Sequence, residues 1–154
     1  GRGGSRRWEG ADWRKGQGGR RLLADVLEGE RAGGRVVRGG AQVGWSVPYA
    51  PQLAFESRVV PASGAGNLLT LPPNEVAVLA ALVQRAVART VAVSGRTAYN
   101  LVLRLPPVAA LDHDAGFWSI DILPRGGPGA GLELSTGFTM VSTPPEEAVA
   151  RLRG

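Results

Sequence analysis

The sequence predicts an α+β domain in which a mostly antiparallel sheet of five or six strands carries one long helix and one C-terminal helix. Short β-prone runs bounded by glycine and proline turns recur along the chain. A long apolar stripe at helical spacing follows Pro72. A second helix start is indicated at Thr143, where two prolines are followed by acidic residues. With 154 residues, of which 44% are hydrophobic, the chain is long enough for one core of ordinary size.

The N-terminal segment differs in composition from the rest. The chain has a net charge of +5, and residues 1–21 hold seven basic side chains against Glu9 and Asp12, whereas the remainder holds eleven of each sign. Seven glycines among the first twenty residues leave too little apolar surface to offset the entropy of ordering. We therefore expect residues 1–19 to form a disordered basic tail and residues 20–154 to form one domain.

The composition also narrows the classes of function. A basic tail with Trp8 and Trp13 can contact phosphates and stack on bases, but a linker without a binding role is the preferred interpretation, and we expect no nucleic-acid partner. The chain has no cysteine, which excludes disulfides and thiolate metal sites. No apolar run approaches the roughly 20 residues that span a bilayer, so we expect a soluble cytoplasmic protein. Because it begins with Gly1 rather than Met, we expect either processing or, more simply, a longer reading frame.

The first predicted elements are a helix and a hairpin. Apolar residues at helical spacing within 20–30, followed by glycines, predict a short helix. Residues 35–38 and 42–47 are two brief β-prone runs. Gly39-Gly40 lies between them and predicts a tight hairpin turn.

The middle of the chain predicts a third strand and the longest helix. Residues 55–60 are β-prone and are closed by Pro61. A helix follows Pro72, because proline is tolerated in a first helical turn, and it ends near Gly95. Its core face is predicted from one apolar stripe, which consists of Val76, Leu79, Ala80, Val83 and Val87.

Three more strands and a last helix complete the prediction. The remaining β-prone runs are 99–105, 117–123 and 136–142. Side chains alternate along a strand, so Arg104 lies off the apolar face of its strand, while Ser119 and Asp121 are presented together. The segment Thr143-Pro-Pro-Glu146 predicts a capping box with proline at the first helical position, and it opens a helix that runs to about Arg153.

Several of these segments, taken in order, resemble a known family. The later ones are Phe117-Trp-Ser-Ile-Asp-Ile-Leu-Pro-Arg125, Ala130-Gly-Leu-Glu-Leu-Ser-Thr-Gly137, Pro144-Pro-Glu-Glu147 and Arg151-Leu-Arg153. The earlier ones are Gly34-Arg-Val-Val37, Val47-Pro-Tyr-Ala50, Phe55-Glu56, Val60-Pro61 and Tyr99-Asn100. The series is similar to the C-terminal half, or second repeat, of galactose-1-phosphate uridylyltransferases, which belong to the histidine-triad superfamily. The resemblance implies a histidine-triad-like fold.

The resemblance implies a chemistry for which this chain lacks the nucleophile. In that family a histidine attacks the α-phosphorus of a UDP-sugar, and a sugar 1-phosphate then resolves the uridylyl-histidine. The histidine lies in a His-Pro-His motif of the first repeat, which is absent from this sequence. His113, the single histidine, lies between Asp112 and Asp114 in a polar connection, where we expect a solvated loop residue. We therefore predict no catalytic residue in this chain.

The resemblance also implies a metal site, and its ligands are missing. Relatives place histidines on two neighbouring strands, at positions that correspond here to Arg104, Phe117 and Ser119. Only Asp121 remains as a potential ligand. Because one carboxylate does not hold zinc or iron, we expect no bound metal and no other cofactor.

One substrate-binding feature of the family has counterparts here. The resemblance implies that the loop after Leu-Pro-Arg binds a sugar nucleotide, with Glu133 contacting sugar hydroxyls between Gly131 and Gly137. Glycines allow close approach of the backbone, and a carboxylate accepts hydrogen bonds from vicinal hydroxyls. A glycine-rich turn with a solvated Glu133 is the alternative. We expect Arg125 to pair with a phosphate, with Asp121 or with a carbonyl.

Two classes of function follow. The first is one half of a UDP-glucose:hexose-1-phosphate uridylyltransferase of galactose metabolism, which supplies sugar-nucleotide contacts and a subunit interface. Its activity requires a partner, either an N-terminal uridylyltransferase repeat or a second copy of this chain. The second is a non-catalytic dimerisation or ligand-binding module, or a gene fragment without activity. The expected ligand is a UDP-sugar, and the isolated chain is expected to be inactive.

Overall fold

The described residues form one antiparallel sheet with helices on both faces. The computed structural model describes residues 22–62, 68–105, 118–125 and 141–154. The helices are α1 (Leu22–Ala32), α2 (Pro73–Ser94) and α3 (Pro145–Arg153), and a 3₁₀ turn at Leu68–Thr70 precedes α2. The strands are β1 (Val36–Gly39), β2 (Val43–Ser46), β3 (Ser57–Pro61), β4 (Tyr99–Arg104) and β5 (Ser119–Pro124). Their order is β1-β2-β3-β5-β4, all antiparallel, which confirms the predicted α+β class.

The main core lies between the sheet and the two helices α2 and α3. Trp45 of β2, Ile122 of β5 and Trp118, which directly precedes β5, lie in this layer and are almost fully buried. Helix α3 contributes a buried apolar face of Ala148, Val149 and Leu152. Burial of each large apolar side chain contributes roughly 1.5–3 kcal/mol, so these contacts stabilise the packing of α2 and α3 on the sheet.

The face that helix α2 presents to the sheet only partly matches the predicted one. Its buried residues are Leu79, Leu82, Ala86 and Thr90. Of the predicted stripe, Leu79 is buried, Val83 and Val87 are half-buried, and Val76 and Ala80 are exposed. The prediction holds for Leu79 and for Val83 and Val87, which pack against the core from its edge, but the buried face is rotated toward Leu82 and Ala86 and leaves Val76 and Ala80 exposed.

By length and composition alone, α2 is also apolar enough to cross a membrane. The expectation that the sequence contains no such run was therefore wrong. In this fold α2 lies on the sheet and ends at Gly95, whose φ of 66° is left-handed and whose N–H donates to the carbonyl of Val91. That conformation favours glycine as the stop residue.

A second, smaller core forms on the opposite face of the sheet under α1. Leu27 packs there with Val60, Ala62 and the half-buried Val36. Close approach of the helix requires glycine at position 44, because a Cβ on Gly44 would lie 2.6 Å from Leu27 Cδ2. Helix α1 packs on β1, β2 and β3, so the part of this face formed by β5 and β4 lies beyond it.

The hairpin and the third strand form with shifted boundaries. Gly39 pairs with Gly44 inside the ladder, so the chain reverses over residues 40–43 rather than at Gly39-Gly40. Strand β3 begins at Ser57 rather than at Phe55, because Phe55 has a φ of 62°, in the left-handed region that interrupts an extended chain.

The C-terminal helix has the predicted span but not the predicted cap. It begins at Pro145 and ends at Arg153. The capping box was wrong, since the N-cap residue is Pro144 and no side chain donates or accepts a capping hydrogen bond there. Thr143 lies one residue before the N-cap position and is buried. The predicted tail 1–19 and most of the predicted strand 136–142 lie outside the described residues.

Candidate functional site

The candidate site is a polar cluster on the sheet face that α1 leaves open. Pairing of β3 with β5 places Arg58 opposite Asp121, and pairing of β4 with β5 places Arg104 opposite Ser119. Alternation puts all four side chains on one face, the same face as Val60. Three neighbouring strands therefore bring two guanidinium groups, a hydroxyl and a carboxylate together.

Asp121 is the centre of this cluster. Arg58 donates from Nε to Asp121 Oδ1 at 2.6 Å and from Nη2 to Oδ2 at 3.3 Å. Arg104 donates from Nε to Oδ2 at 2.7 Å, and Ser119 Oγ donates to Oδ1 at 3.4 Å. The carboxylate, which is only 1% exposed, thus has both oxygens engaged.

The electrostatics keep Asp121 ionised. Burial by itself raises the pKa of Asp121, but the hydrogen bonds and the positive charges of Arg58 and Arg104 outweigh it, so the pKa lies below its usual value. Two guanidinium cations and one carboxylate leave a surplus of one positive charge. The Arg58 side chain is 27% exposed and that of Arg104 is 55% exposed, so solvent reaches the cluster mainly at Arg104.

This arrangement is suited to an anion and not to a metal ion. A guanidinium beside an open face donates planar pairs of hydrogen bonds that match phosphate or carboxylate oxygens. The two oxygens that a metal would need are occupied by arginines, and both flanking groups are cations. In the described ranges no group of three or more His, Cys, Asp or Glu side chains stands close enough to hold a metal.

The structure describes one of the four residues predicted to bind substrate. Arg125 is exposed directly after β5, and its backbone N–H donates to the carbonyl of Ala98 at 2.8 Å. Glu133, Gly131 and Gly137 lie outside the described residues.

The sequence reasoning anticipated most of the cluster and missed Arg58. The joint presentation of Ser119 and Asp121, and the position of Arg104 off the apolar face, are both found. Arg58 was not predicted as a site residue because its partner, Asp121, lies 63 residues away in the sequence. The available signal was a lone charged residue beside Val59 and Val60 in a strand that is otherwise buried. His113 and Phe117 lie outside the described residues.

Two clefts flank helix α2 on the other face of the sheet. One, of about 620 Å³, lies between α2 and the β1–β2 hairpin and includes Arg38, Gln84 and Arg85 in its lining. The other, of about 630 Å³, lies between α2 and β4 and is almost entirely apolar. Neither cleft contains a residue of the Asp121 cluster.

Comparison with known proteins gives a likeness in structure and none in sequence. No family model matches the chain, and no curated protein sequence matches it. A uridylyltransferase structure superposes with a TM-score of 0.74 at 23% identity, covering 94% of this chain and 47% of that chain. An ADP-glucose phosphorylase from Arabidopsis thaliana with bound ADP-glucose superposes with a TM-score of 0.72 at 16% identity, covering 94% and 46%.

A protein that this chain covers over nearly its whole length matches as well. A Zn-bound histidine triad family protein from Mycobacterium smegmatis superposes with a TM-score of 0.57 at 19% identity, covering 86% of this chain and 90% of that chain. The present chain therefore spans about half the length of the first two structures and nearly the whole of the third. These matches confirm the histidine-triad-like fold and its resemblance to uridylyltransferases.

Proposed function

We propose that the chain is the sugar-nucleotide-binding half of a uridylyltransferase-type enzyme and that its partner supplies the nucleophile. The observation that carries the proposal is the superposition of 94% of the chain on about half of a uridylyltransferase and of a phosphorylase that holds ADP-glucose. Both are proteins of sugar-nucleotide chemistry. A UDP-sugar such as UDP-glucose is the proposed ligand, and galactose metabolism in the cytoplasm is the proposed setting.

The sheet face that α1 does not cover is suited to bind the phosphate groups of this ligand. Its surplus positive charge, carried by the half-exposed Arg104, favours a phosphate group next to β4 and β5. We further propose that Glu133 accepts hydrogen bonds from sugar hydroxyls and that Gly131 and Gly137 allow the backbone to approach the sugar. Arg125, exposed at the end of β5, is proposed to pair with a phosphate.

Binding affinity tests the proposal directly. We expect calorimetric titration of the full chain with UDP-glucose to show saturable binding, which Glu133→Ala weakens at least tenfold. At low salt, where charge is least screened, Arg104→Leu is expected to weaken the affinity by more than that. Glu147→Ala removes an exposed carboxylate from α3 and serves as the matched control, with unchanged affinity. No binding of UDP-glucose or ADP-glucose by the wild type would reject the proposal.

The isolated chain is proposed to lack transferase activity. Uridylyl transfer through a covalent intermediate needs a nucleophilic side chain, and the His-Pro-His motif is absent. After incubation with UDP-glucose, mass spectrometry of the intact chain is expected to show no uridylyl adduct. An adduct on any residue of this chain would contradict this part of the proposal.

The alternative function is a non-catalytic binding module or an inactive gene fragment. It is favoured by one observation, the engagement of both Asp121 oxygens by Arg58 and Arg104, of which Arg104 stands at a position where the resemblance implies a metal ligand. The same titration separates the two functions. Sugar-nucleotide binding that does not depend on Glu133 supports the module, and a complete lack of ligand binding supports the fragment.

A further inference from the structure

The cleft between α2 and the β1–β2 hairpin, here called the α2–hairpin cleft, combines an apolar lining with two cations. Val43 of β2 and Leu82 of α2 are buried parts of this lining, and Val78 extends it, although its side chain is 47% exposed. Arg38 of β1 and Arg85 of α2 line the same cleft. Its volume of about 620 Å³ lies within the range of roughly 300–1,000 Å³ that is typical of small-molecule sites. Such sites are mostly apolar and carry a few polar groups, as this cleft does.

A bulge in β1 directs Arg38 toward the cleft. Val36 lies opposite Ser46, but the register then shifts, and Arg38 lies opposite Trp45 of the main core. Strict alternation would place Arg38 on the same side as Val36, which packs under α1. Instead, Val37 packs against the main core and the next residue, Arg38, lines the cleft on that same side of the sheet. Bulges commonly re-aim a side chain next to a functional site, and this one brings a charge to an apolar cleft.

Helix α2 supplies the second cation through its own periodicity. Arg85 follows Val78, Ala81 and Leu82 at spacings that share one helix face. In the part of the chain that the structure describes, neither Arg85 nor Arg38 makes a hydrogen bond or an ion pair. The described residues that line the cleft also include no aspartate or glutamate. Both guanidinium groups are therefore available to an anion that enters the cleft.

We propose that the α2–hairpin cleft binds a small organic carboxylate. Its apolar body packs on Val43, Val78 and Leu82, and its carboxylate accepts hydrogen bonds from Arg38 and Arg85. The planar guanidinium matches the geometry of a carboxylate, and such charged hydrogen bonds are stronger beside apolar surface than in open water. A neutral apolar ligand leaves both cations without an acceptor, and a bare anion leaves the apolar lining in water, so the cleft selects a ligand with both parts.

This site is separate from the proposed sugar-nucleotide site. The α2–hairpin cleft lies on the side of the sheet that carries α2, whereas the Asp121 cluster lies on the side that carries α1. The inference rests on the lining of the cleft, the bulge in β1 and the two cations. It is therefore independent of UDP-glucose binding, and a result for one site does not decide the other.

Three ligands that differ in one part at a time test the inference. 1-Naphthoate carries both parts, 1-naphthamide keeps the two-ring body without the charge, and acetate keeps the carboxylate without the body. The full chain, with isotopically labelled valine and leucine methyl groups, is titrated with each ligand and followed by NMR. We expect naphthoate to shift the methyl resonances of Val43, Val78 and Leu82 saturably and to bind about tenfold more tightly than naphthamide. Acetate is expected to give no saturable shift.

Substitutions in the cleft separate the charge from the apolar lining. Arg38→Gln and Arg85→Gln are each expected to weaken naphthoate binding about tenfold and to leave naphthamide binding unchanged, which loss of the fold would not do. Ala81→Trp places a large ring at an exposed residue of the lining and is expected to weaken the binding of both ligands. Arg31→Gln removes one exposed cation from α1, on the other side of the sheet, and is the matched control with unchanged affinities.

Four outcomes would overturn the inference. Equal affinities for naphthoate and naphthamide would show that the arginines contribute nothing to binding. Naphthoate binding that survives both glutamine substitutions, or methyl shifts confined to residues outside the cleft, would place the ligand elsewhere. A complete absence of saturable shifts would reject the small-molecule site and would favour packing of the apolar lining against another protein chain.

Discussion

Arg58 and Asp121 face each other across β3 and β5 and form a two-point ion pair, with Nε–Oδ1 at 2.6 Å and Nη2–Oδ2 at 3.3 Å. Arg104 donates to the second oxygen from β4, so one carboxylate links three strands. Removal of one charged member of such a cluster leaves the remaining charges without an opposite charge nearby. A single substitution therefore lowers the free energy of unfolding by more than the net contribution of the ion pair.

Asp121→Asn is expected to lower the free energy of unfolding by about 2–3 kcal/mol, because it leaves two adjacent guanidinium groups without their shared anion. Urea unfolding followed by tryptophan fluorescence measures the change, since Trp45 and Trp118 are 1% exposed. Glu28→Gln breaks an exposed ion pair with Arg31 and is expected to cost less than about 0.5 kcal/mol. Equal costs for the two variants would contradict the structural role of Asp121.

The contribution of Asp121 depends on pH in a defined direction. The folded pKa of Asp121 lies below its unfolded value, which is about 3.9, so its contribution is fully present above that value and is lost as pH falls through the folded pKa. The difference in urea midpoint between the wild type and Asp121→Asn is therefore expected to be constant from about pH 5 to 7 and to shrink below about pH 4. A difference in urea midpoint that widens on acidification would contradict a folded pKa of Asp121 below its unfolded value.

Phe55 combines a left-handed backbone with a buried ring. Its φ is 62°, its side chain is 7% exposed, and the guanidinium of Arg151 lies 4.6 Å from the ring centre. Phe55→Gly and Phe55→Ala both remove the ring, but only glycine adopts this φ without strain. We expect the glycine variant to unfold at higher urea and to be more stable by about 1 kcal/mol. The reverse order would show that the backbone is not strained.

Gly95 and Gly29 form a matched pair for backbone conformation. Neither position would bring an added Cβ within 4 Å of another atom, but Gly95 has a φ of 66° whereas Gly29 lies inside α1. Gly95→Ala is expected to destabilise the chain by about 1 kcal/mol, and Gly29→Ala to stabilise it by about 0.5–1 kcal/mol. Thermal unfolding of the two variants measures opposite shifts, and shifts of the same sign would rule out left-handed conformation as the cause.

Local patterns in the sequence were sufficient to predict those features that depend on one segment alone. Prolines predicted the starts of α2 and α3, Gly95 predicted the end of α2, and alternation placed Ser119 and Asp121 on one face. The capping box was wrong because a motif specifies which atoms are close in sequence, whereas the entry angle of α3 at Pro144 decides whether the Thr143 hydroxyl reaches the helix end.

By itself, the sequence determined the order of the described elements, the polar character of β5 at Ser119 and Asp121, and the absence of a His-Pro-His motif. Only the tertiary structure decided that Arg58 pairs with Asp121, because strand register joins residues 63 positions apart and leaves no local periodicity. It also decided which of two apolar faces of α2 is buried. Both faces satisfy helical spacing, and the choice depends on the shape of the sheet beneath them, which leaves Val76 exposed beside β4.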